Sequence, residues 1–248
     1  MIDHTRRTVL TAVGTGLALS TSAAVGGADE SEEDEEYEAE DGARVVHLSP
    51  DAPPVDVYID YEVAFENVEP FATQSGYLPY EPGSHTVSFA PTGEDLAEAV
   101  LEERVELDSG EYTLAAVGEL CAVSGRSLQI RQFEDDNGPT SEGSARIRAV
   151  HASPDAPVVD IIVDDERVIE DLEFGDGSYT EIPGGEGILG VAEAGNDEPF
   201  ARFAIEPEAG SVYTGFGVGY LEPEAAPERA QEIPFSLALV EDATPGER

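Results

Sequence analysis

The chain of 248 residues has no lysine and no tryptophan, one methionine and one cysteine. Each absence excludes something. Without lysine there can be no Walker-type phosphate loop, no Schiff-base amine and no Ser-Lys dyad. A single cysteine, Cys121, permits no disulfide within the chain even in an oxidising compartment. Set in Leu120-Cys121-Ala122-Val123, it reads as a small buried apolar residue rather than a reactive thiol. Positive charge is scarce too: 12 basic residues, all arginine, stand against 54 acidic ones. Neutralising phosphates takes clusters of Lys and Arg, and the folded region offers nothing larger than Arg146-x-Arg148. Neither nucleic acid nor an anionic membrane surface is expected as a partner. No apolar run of about 18 residues follows the N-terminal region, so no second membrane span is expected.

What is present in excess is carboxylate. A net charge of −42 is self-repulsive in dilute buffer. In molar salt the Debye length falls to about 3 Å and the repulsion nearly vanishes. The composition therefore points to an extreme halophile, with a halophilic archaeon as the expected source. The rival is a cation-binding or acidic-scaffold protein, which would concentrate its acids in runs. Here they are spread through the chain, with one run at residues 29–41. That run cannot bury apolar surface and repels itself, so residues 29–42 are expected to be a solvated, disordered tether.

The N-terminus supplies an address. Thr5-Arg6-Arg7-Thr8-Val9-Leu10 precedes a modest apolar stretch to Val25, interrupted by Gly14 and Gly16 and followed by small residues. The pattern resembles a twin-arginine export signal over residues 1–28. An uncleaved anchor is the alternative. The expected location is extracellular or at the cell surface.

The chain then says one thing twice. Val45-Val46-His47-Leu48-Ser49-Pro50-Asp51-Ala52-Pro53-Pro54-Val55-Asp56 returns 104 residues later as Ala149-Val150-His151-Ala152-Ser153-Pro154-Asp155-Ala156-Pro157-Val158-Val159-Asp160. A period of about 100 residues suits one β-sandwich per copy rather than a solenoid unit. Val55, Val57 and Ile59 alternate with polar residues, as do Val159, Ile161 and Val163, the period of strands with one buried face. Further strands are expected at 84–90, 102–107, 112–117 and 127–133, and in the second copy at 187–192, 201–205, 213–218 and 235–240. Glu94–Val105 could form a helical turn at most. Gly- and Pro-bearing turns separate the strands. Asp108-Ser109-Gly110-Glu111-Tyr112 resembles the corner of immunoglobulin-like domains where a tyrosine bonds back to the preceding turn, and Gly210-Ser211-Val212-Tyr213 is a version longer by one residue. The expected fold is all-β: two tandem immunoglobulin-like sandwiches at 43–136 and 144–242, joined by a linker at 137–143 and ending in a tail at 243–248.

The repeated motif holds His, Ser and Asp together, and three readings compete. In the structural one, Ser, Pro and Asp occupy successive corners of a type I turn. His151 shares its strand face with Ile147 and Ala149 and bonds the turn backbone, while Asp56 and Asp160 face away from the buried side. A nucleophilic hydrolase is disfavoured, because the serine precedes a proline that has no N–H to offer an oxyanion, and no Gly-x-Ser-x-Gly elbow occurs. A cation site built on Asp51 and Asp155 is the remaining alternative, although no Asp-x-Asp-x-Asp-Gly loop or zinc-type spacing accompanies them. His4 and His85 complete no multi-histidine site.

The same motif, with its Val-Asp-Val-Tyr-Ile-Asp continuation, a Pro-Gly turn and a Gly-x-Tyr-Thr strand, resembles the DUF4397 family of exported proteins. The second copy departs where Ile162 replaces Tyr58 and at its longer tyrosine corner. The resemblance implies surface or secreted proteins, often in tandem, and carries over no catalytic residue. The expectation is a non-catalytic binding or adhesion module without cofactor, its partner a protein or glycan of the cell envelope. The alternative is a cation-stabilised structural or small-ligand-binding protein.

Overall fold

The computed structural model describes residues 41–71 and 76–244. The expected export signal, nearly all of the expected acidic tether and the last residues of the expected tail lie outside the described residues. The first repeat contributes β1 (Gly42–His47), β2 (Val55–Ile59), β3 (Glu62–Val68), β4 (Leu78–Pro79), β5 (Gly83–Pro91), β6 (Leu101–Leu107), β7 (Glu111–Val117) and β8 (Gln129–Glu134). The second contributes β9 (Ser144–His151), β10 (Val159–Val163), β11 (Glu166–Leu172), β12 (Gly177–Pro183), β13 (Gly187–Glu193), β14 (Ala201–Ile205), β15 (Val212–Val218) and β16 (Ser236–Ala243). Each repeat folds as two four-stranded sheets, ordered β4-β1-β7-β8 and β3-β2-β5-β6, then β12-β9-β15-β16 and β11-β10-β13-β14. In both repeats the opening strand runs parallel to the seventh, Val45 opposite Leu114 and Arg148 opposite Thr214. Segment 94–105 holds one 3-10 turn, Leu96–Glu98, before β6 begins.

The alternating residues do what their period requires. Val45, Val55, Val57, Val87, Phe89 and Leu114 fill the first sandwich, and Ile147, Val159, Ile161, Leu189 and Val191 fill the second. The tyrosine corner is built in both. The Tyr112 hydroxyl bonds the backbone of Asp108, and that of Tyr213 accepts the Glu208 N–H at 3.1 Å. In the first repeat Tyr80 reinforces the corner, donating its hydroxyl to the carbonyls of Asp108 and Gly110.

Four strands were not anticipated: β3, β4, β11 and β12. The β2–β3 turn passes through Asp60 (φ 49) and Tyr61 (φ 71), and β10–β11 through Asp164 (φ 48) and Asp165 (φ 69). These are two-residue hairpin turns with both corners left-handed, made without the glycine that normally announces them.

A third apolar cluster lies between the sandwiches. The faces of β1 and β7 that point away from the first core carry Val46, Ala115 and Val117, and those of β9 and β15 carry Val150, Phe216 and Val218. These side chains form one buried cluster. The sandwiches therefore share an interior.

Candidate functional site

The repeated motif sits where β1 and β9 leave the sheet. His47 and His151 are buried. The Nδ1 of His47 accepts the Ser49 N–H at 3.3 Å and its Nε2 donates to the Pro53 carbonyl at 3.0 Å. His151 repeats this with Ser153 at 3.4 Å and Pro157 at 2.9 Å. The partners fix the tautomer, since Nδ1 faces a donor and Nε2 an acceptor. Burial pushes both imidazoles below their usual pKa, outweighing the carbonyl bonds that work the other way. Each ring is thus a neutral clamp on its own turn.

Serine and aspartate point elsewhere. Ser49 Oγ donates to Asp51 at 3.2 Å, and Ser153 Oγ to the Gly219 carbonyl at 2.7 Å and to Asp155 at 3.3 Å. Both serines are fully buried. The arrangement needed to activate a nucleophile, serine hydroxyl on imidazole nitrogen, is not what these contacts make. The two cation candidates are engaged by main chain. Asp51 accepts the N–H groups of Leu120 and Cys121 at 2.7 and 2.8 Å. Asp155 accepts those of Leu221 and Glu222 at 2.9 and 2.8 Å. Among the described residues no three His, Cys, Asp or Glu side chains converge to hold a metal ion.

The motif's next aspartates work the same way. Asp56 accepts the N–H groups of Asn67 and Gly93 at 2.8 and 3.1 Å, and Asp160 those of Asp171 and Gly195, both at 2.8 Å. Desolvation would raise the Asp56 carboxyl, but the two N–H donors outweigh it and hold the carboxyl below the usual range. Asp60 and Asp164 accept the N–H groups of Thr86 and Ile188, both at 2.9 Å. The parity argument placed Asp160 on the outer face, and there it lies, yet it is buried at 2 % exposure. The side chain of Arg167 covers it, with Nε 3.0 Å from its carboxylate. Each copy therefore carries three aspartates, before, within and after the motif strand. They accept main-chain N–H groups from the loop after β7 or β15, from β3 or β11 with the loop after β5 or β13, and from β5 or β13 itself. Sequence spacing alone did not reveal these ties, because the donors lie far along the chain.

Cys121 corrects an expectation. It is exposed rather than buried. The N–H bond to Asp51 pins its backbone in the loop after β7 and leaves the side chain facing out. A hydrogen bond to Asp51 is the main reason the thiol is pushed above its ordinary pKa.

The group that sequence reading missed lies between the sandwiches. Arg44 and Arg148, 1 % exposed, meet there with Asp135 and Asp242. Arg148 Nη1 is 2.6 Å from Asp135, Arg44 Nη2 is 2.8 Å from Asp242, and Arg44 Nε is 3.3 Å from Asp135. Each guanidinium also donates Nε to a threonine on the parallel strand, Thr113 at 2.8 Å and Thr214 at 3.0 Å. Asp135 further accepts the Tyr77 hydroxyl at 2.5 Å and that of Thr113 at 2.7 Å. The two signs balance. Desolvation would lower the Arg44 pKa, but the neighbouring carboxylates outweigh it and hold it raised, whereas burial raises the Asp242 carboxyl against its arginines. At the motif end of the same junction, the Tyr220 hydroxyl donates to the buried Glu119 at 2.8 Å. The signal was available: an arginine stands three residues before the motif histidine in both copies.

A family model, described as a domain of unknown function (DUF4397), matches residues 42–162 and again 145–230. The chain belongs to the DUF4397 family. The first match spans the first sandwich and runs on through β9 into β10, the second begins within β9 and stops before β16, and the His-x-Ser-Pro-Asp turn lies near the start of each. No curated protein matches. Among solved structures, "The Bacillus anthracis TIE protein" is similar at 15% identity over 74% of this chain, with a TM-score of 0.23. The chain spans 34% of that protein's length. Among the described residues no helix is long and apolar enough to cross a membrane.

Proposed function

We propose that this DUF4397 protein is an exported, non-catalytic binding module of a salt-adapted cell, holding two joined sandwiches against a component of the cell envelope. The observation that carries the reading is the junction. Two arginines and two aspartates, almost wholly withdrawn from solvent, join the sandwiches into one body. A rigid pair suits presentation of a fixed surface better than hinge-driven turnover. The motif side chains that could perform chemistry are already spent on holding turns and loops. The carboxylate excess supports a working environment of molar salt, and the paired arginines Arg6-Arg7 support export.

The test is sedimentation of the mature protein with isolated envelopes in multi-molar KCl. Saturable binding, competed by unlabelled protein, is expected. Protein that stays wholly in solution would refute envelope association. Substrate turnover abolished by a single side-chain change would refute the non-catalytic reading. Export is tested separately: fusing residues 1–41 to a folded reporter should deliver it outside the cell, and R6K/R7K should retain it.

A further inference from the structure

The two sandwiches differ at one place where their sequences would lead one to expect the same interior. In the first, a crevice of about 180 Å³ opens between the sheets at the edge formed by β3 and β4. Its floor is apolar, with Ala43, Val87, Leu107 and Leu114, and the exposed Glu62 and Val63 stand at its rim. In the second, Ile147 takes the position of Ala43 and packs its larger side chain into the core. A dry cavity of about 150 Å³ lined by aliphatic side chains is large enough to take up benzene. The crevice therefore has room for one six-membered ring or a branched aliphatic group of similar size.

Charge selects among such groups. Glu62 is the one carboxylate of the lining, because the nearby Asp60 is engaged by the rim residue His85, 2.7 Å from its Nδ1. His85 is held by Asp60 on one nitrogen and by the Glu81 carbonyl at 2.7 Å on the other. In molar salt the remaining surface acids are screened beyond about 3 Å, so only groups at the rim can discriminate by charge. We propose that the first sandwich binds a small organic ammonium ion, its compact apolar body in the crevice and its charged end against Glu62. This site goes beyond the envelope-binding reading and does not depend on it.

The test uses three probes that share one ring and differ in charge: benzylamine as the ammonium, benzyl alcohol and benzoate. Each is titrated into the full mature chain at neutral pH in multi-molar KCl, following methyl resonances of Val87, Leu107 and Leu114. Benzylamine should shift them saturably, benzyl alcohol should bind about two- to fivefold more weakly, and benzoate should not bind; the range is that of an exposed ion pair. E62Q should reduce benzylamine to the level of the alcohol. A43I, which copies the second repeat, should weaken binding at least tenfold. V63W, an exposed plug at the rim, should do the same without touching the core. No saturable shift with benzylamine, equal binding of benzoate, or binding that survives both A43I and V63W would overturn the proposal. Envelope sedimentation of V63W reads the other function separately, since loss of the amine alone leaves that binding intact.

Discussion

Replacing Asp135 by asparagine should be among the most damaging isosteric changes possible in this protein. The side chain is at 0 % exposure and lies 2.6 Å from Arg148 and 3.3 Å from Arg44. Removing its charge leaves two buried guanidinium groups sharing one carboxylate. A pair of unit charges 4 Å apart is worth about 4 kcal/mol at an effective dielectric of 20, offset by the desolvation that Asp135 no longer suffers. Breaking a buried pair by neutralising one member typically costs about 3–5 kcal/mol. Asparagine adds a second fault, because its NH2 must face donors: Arg44, Arg148, Thr113 and Tyr77 all point hydrogens at this carboxylate. For a domain pair of this size about 1 kcal/mol moves the melting temperature roughly 2–4 °C, so a fall of roughly 6–20 °C is expected. D242N should cost less, about 2 kcal/mol, since burial already disfavours that carboxylate's charged form. Thermal unfolding followed by circular dichroism at one and at three molar KCl checks both. Because the cluster is buried, the cost should be the same at the two salt concentrations. A D135N loss below about 1 kcal/mol, a loss erased by salt, or the reverse order of the two variants would refute the reasoning.

Acid should destabilise the protein in two stages. His47 and His151 have depressed folded-state pKa values, so their stabilisation is complete above the unfolded value near 6.5 and is lost as pH falls below it, by up to about 1.4 kcal/mol per pH unit each. His85, raised chiefly by its bond to Asp60, works in the opposite sense: its stabilisation is fully present below the unfolded value near 6.5 and is lost as pH rises above it. H85Q should therefore remove the gain in stability seen in urea titrations as pH falls towards about 6.5 and leave the slope below it unchanged. Asp56 and Asp60 are depressed, so their contribution should persist to about pH 4 and disappear below it. D51A and D155A should each cost about 2 kcal/mol, the penalty for leaving two loop N–H groups unpaired. Hydrogen exchange should then accelerate at Leu120 and Cys121 in the first variant and at Leu221 and Glu222 in the second, and unchanged rates would remove the aspartates from their assigned role. Cys121 should react fully with a maleimide in the native protein, more slowly than a free thiol, with no change in melting temperature; protection until unfolding would restore the buried reading.

Much of the fold was legible because the period of two is a local property. Val55, Val57 and Ile59 announce a strand whatever surrounds them, and the repeated His-x-Ser-Pro-Asp marks where each sandwich begins. β3 and β11 were harder. Their residues are acid-rich, and their hairpin turns use Asp60-Tyr61 and Asp164-Asp165, whose left-handed backbone costs energy and is stabilised by carboxylate bonds to Thr86 and Ile188 across the sheet. The Cys121 error has a similar source, since an apolar neighbourhood in sequence does not say which way a loop side chain faces. Arg44 and Arg148 were missed for a deeper reason. A strand in a single sandwich has one buried face, and polar residues on the other face belong to solvent. Here that other face is buried by the second sandwich, so the same parity that places Val45 in the core places Arg44 in the junction.

The paired copies also separate what maintains the architecture from what distinguishes one sandwich from the other. Of the residues that recur at matched positions, His47 with His151 and Asp51 with Asp155 make bonds that any copy of the fold would need, whereas Arg44 and Arg148 bond across the junction. Differences are more informative. Glu119 and Tyr220 occupy the same position after the glycine that ends β7 or β15, and they bond to each other across the junction. Two first repeats placed face to face would bring two buried Glu119 carboxylates together, a repulsion that the tyrosine removes. The junction is therefore matched to a first and a second repeat, not to two of a kind. Ala43 against Ile147 is the same kind of difference, but it opens space instead of filling it. No bond within the fold requires an alanine there, and a larger side chain would add buried apolar area. A position where the fold forgoes that stabilisation, beside an exposed carboxylate, is where a ligand of this chain should be sought first.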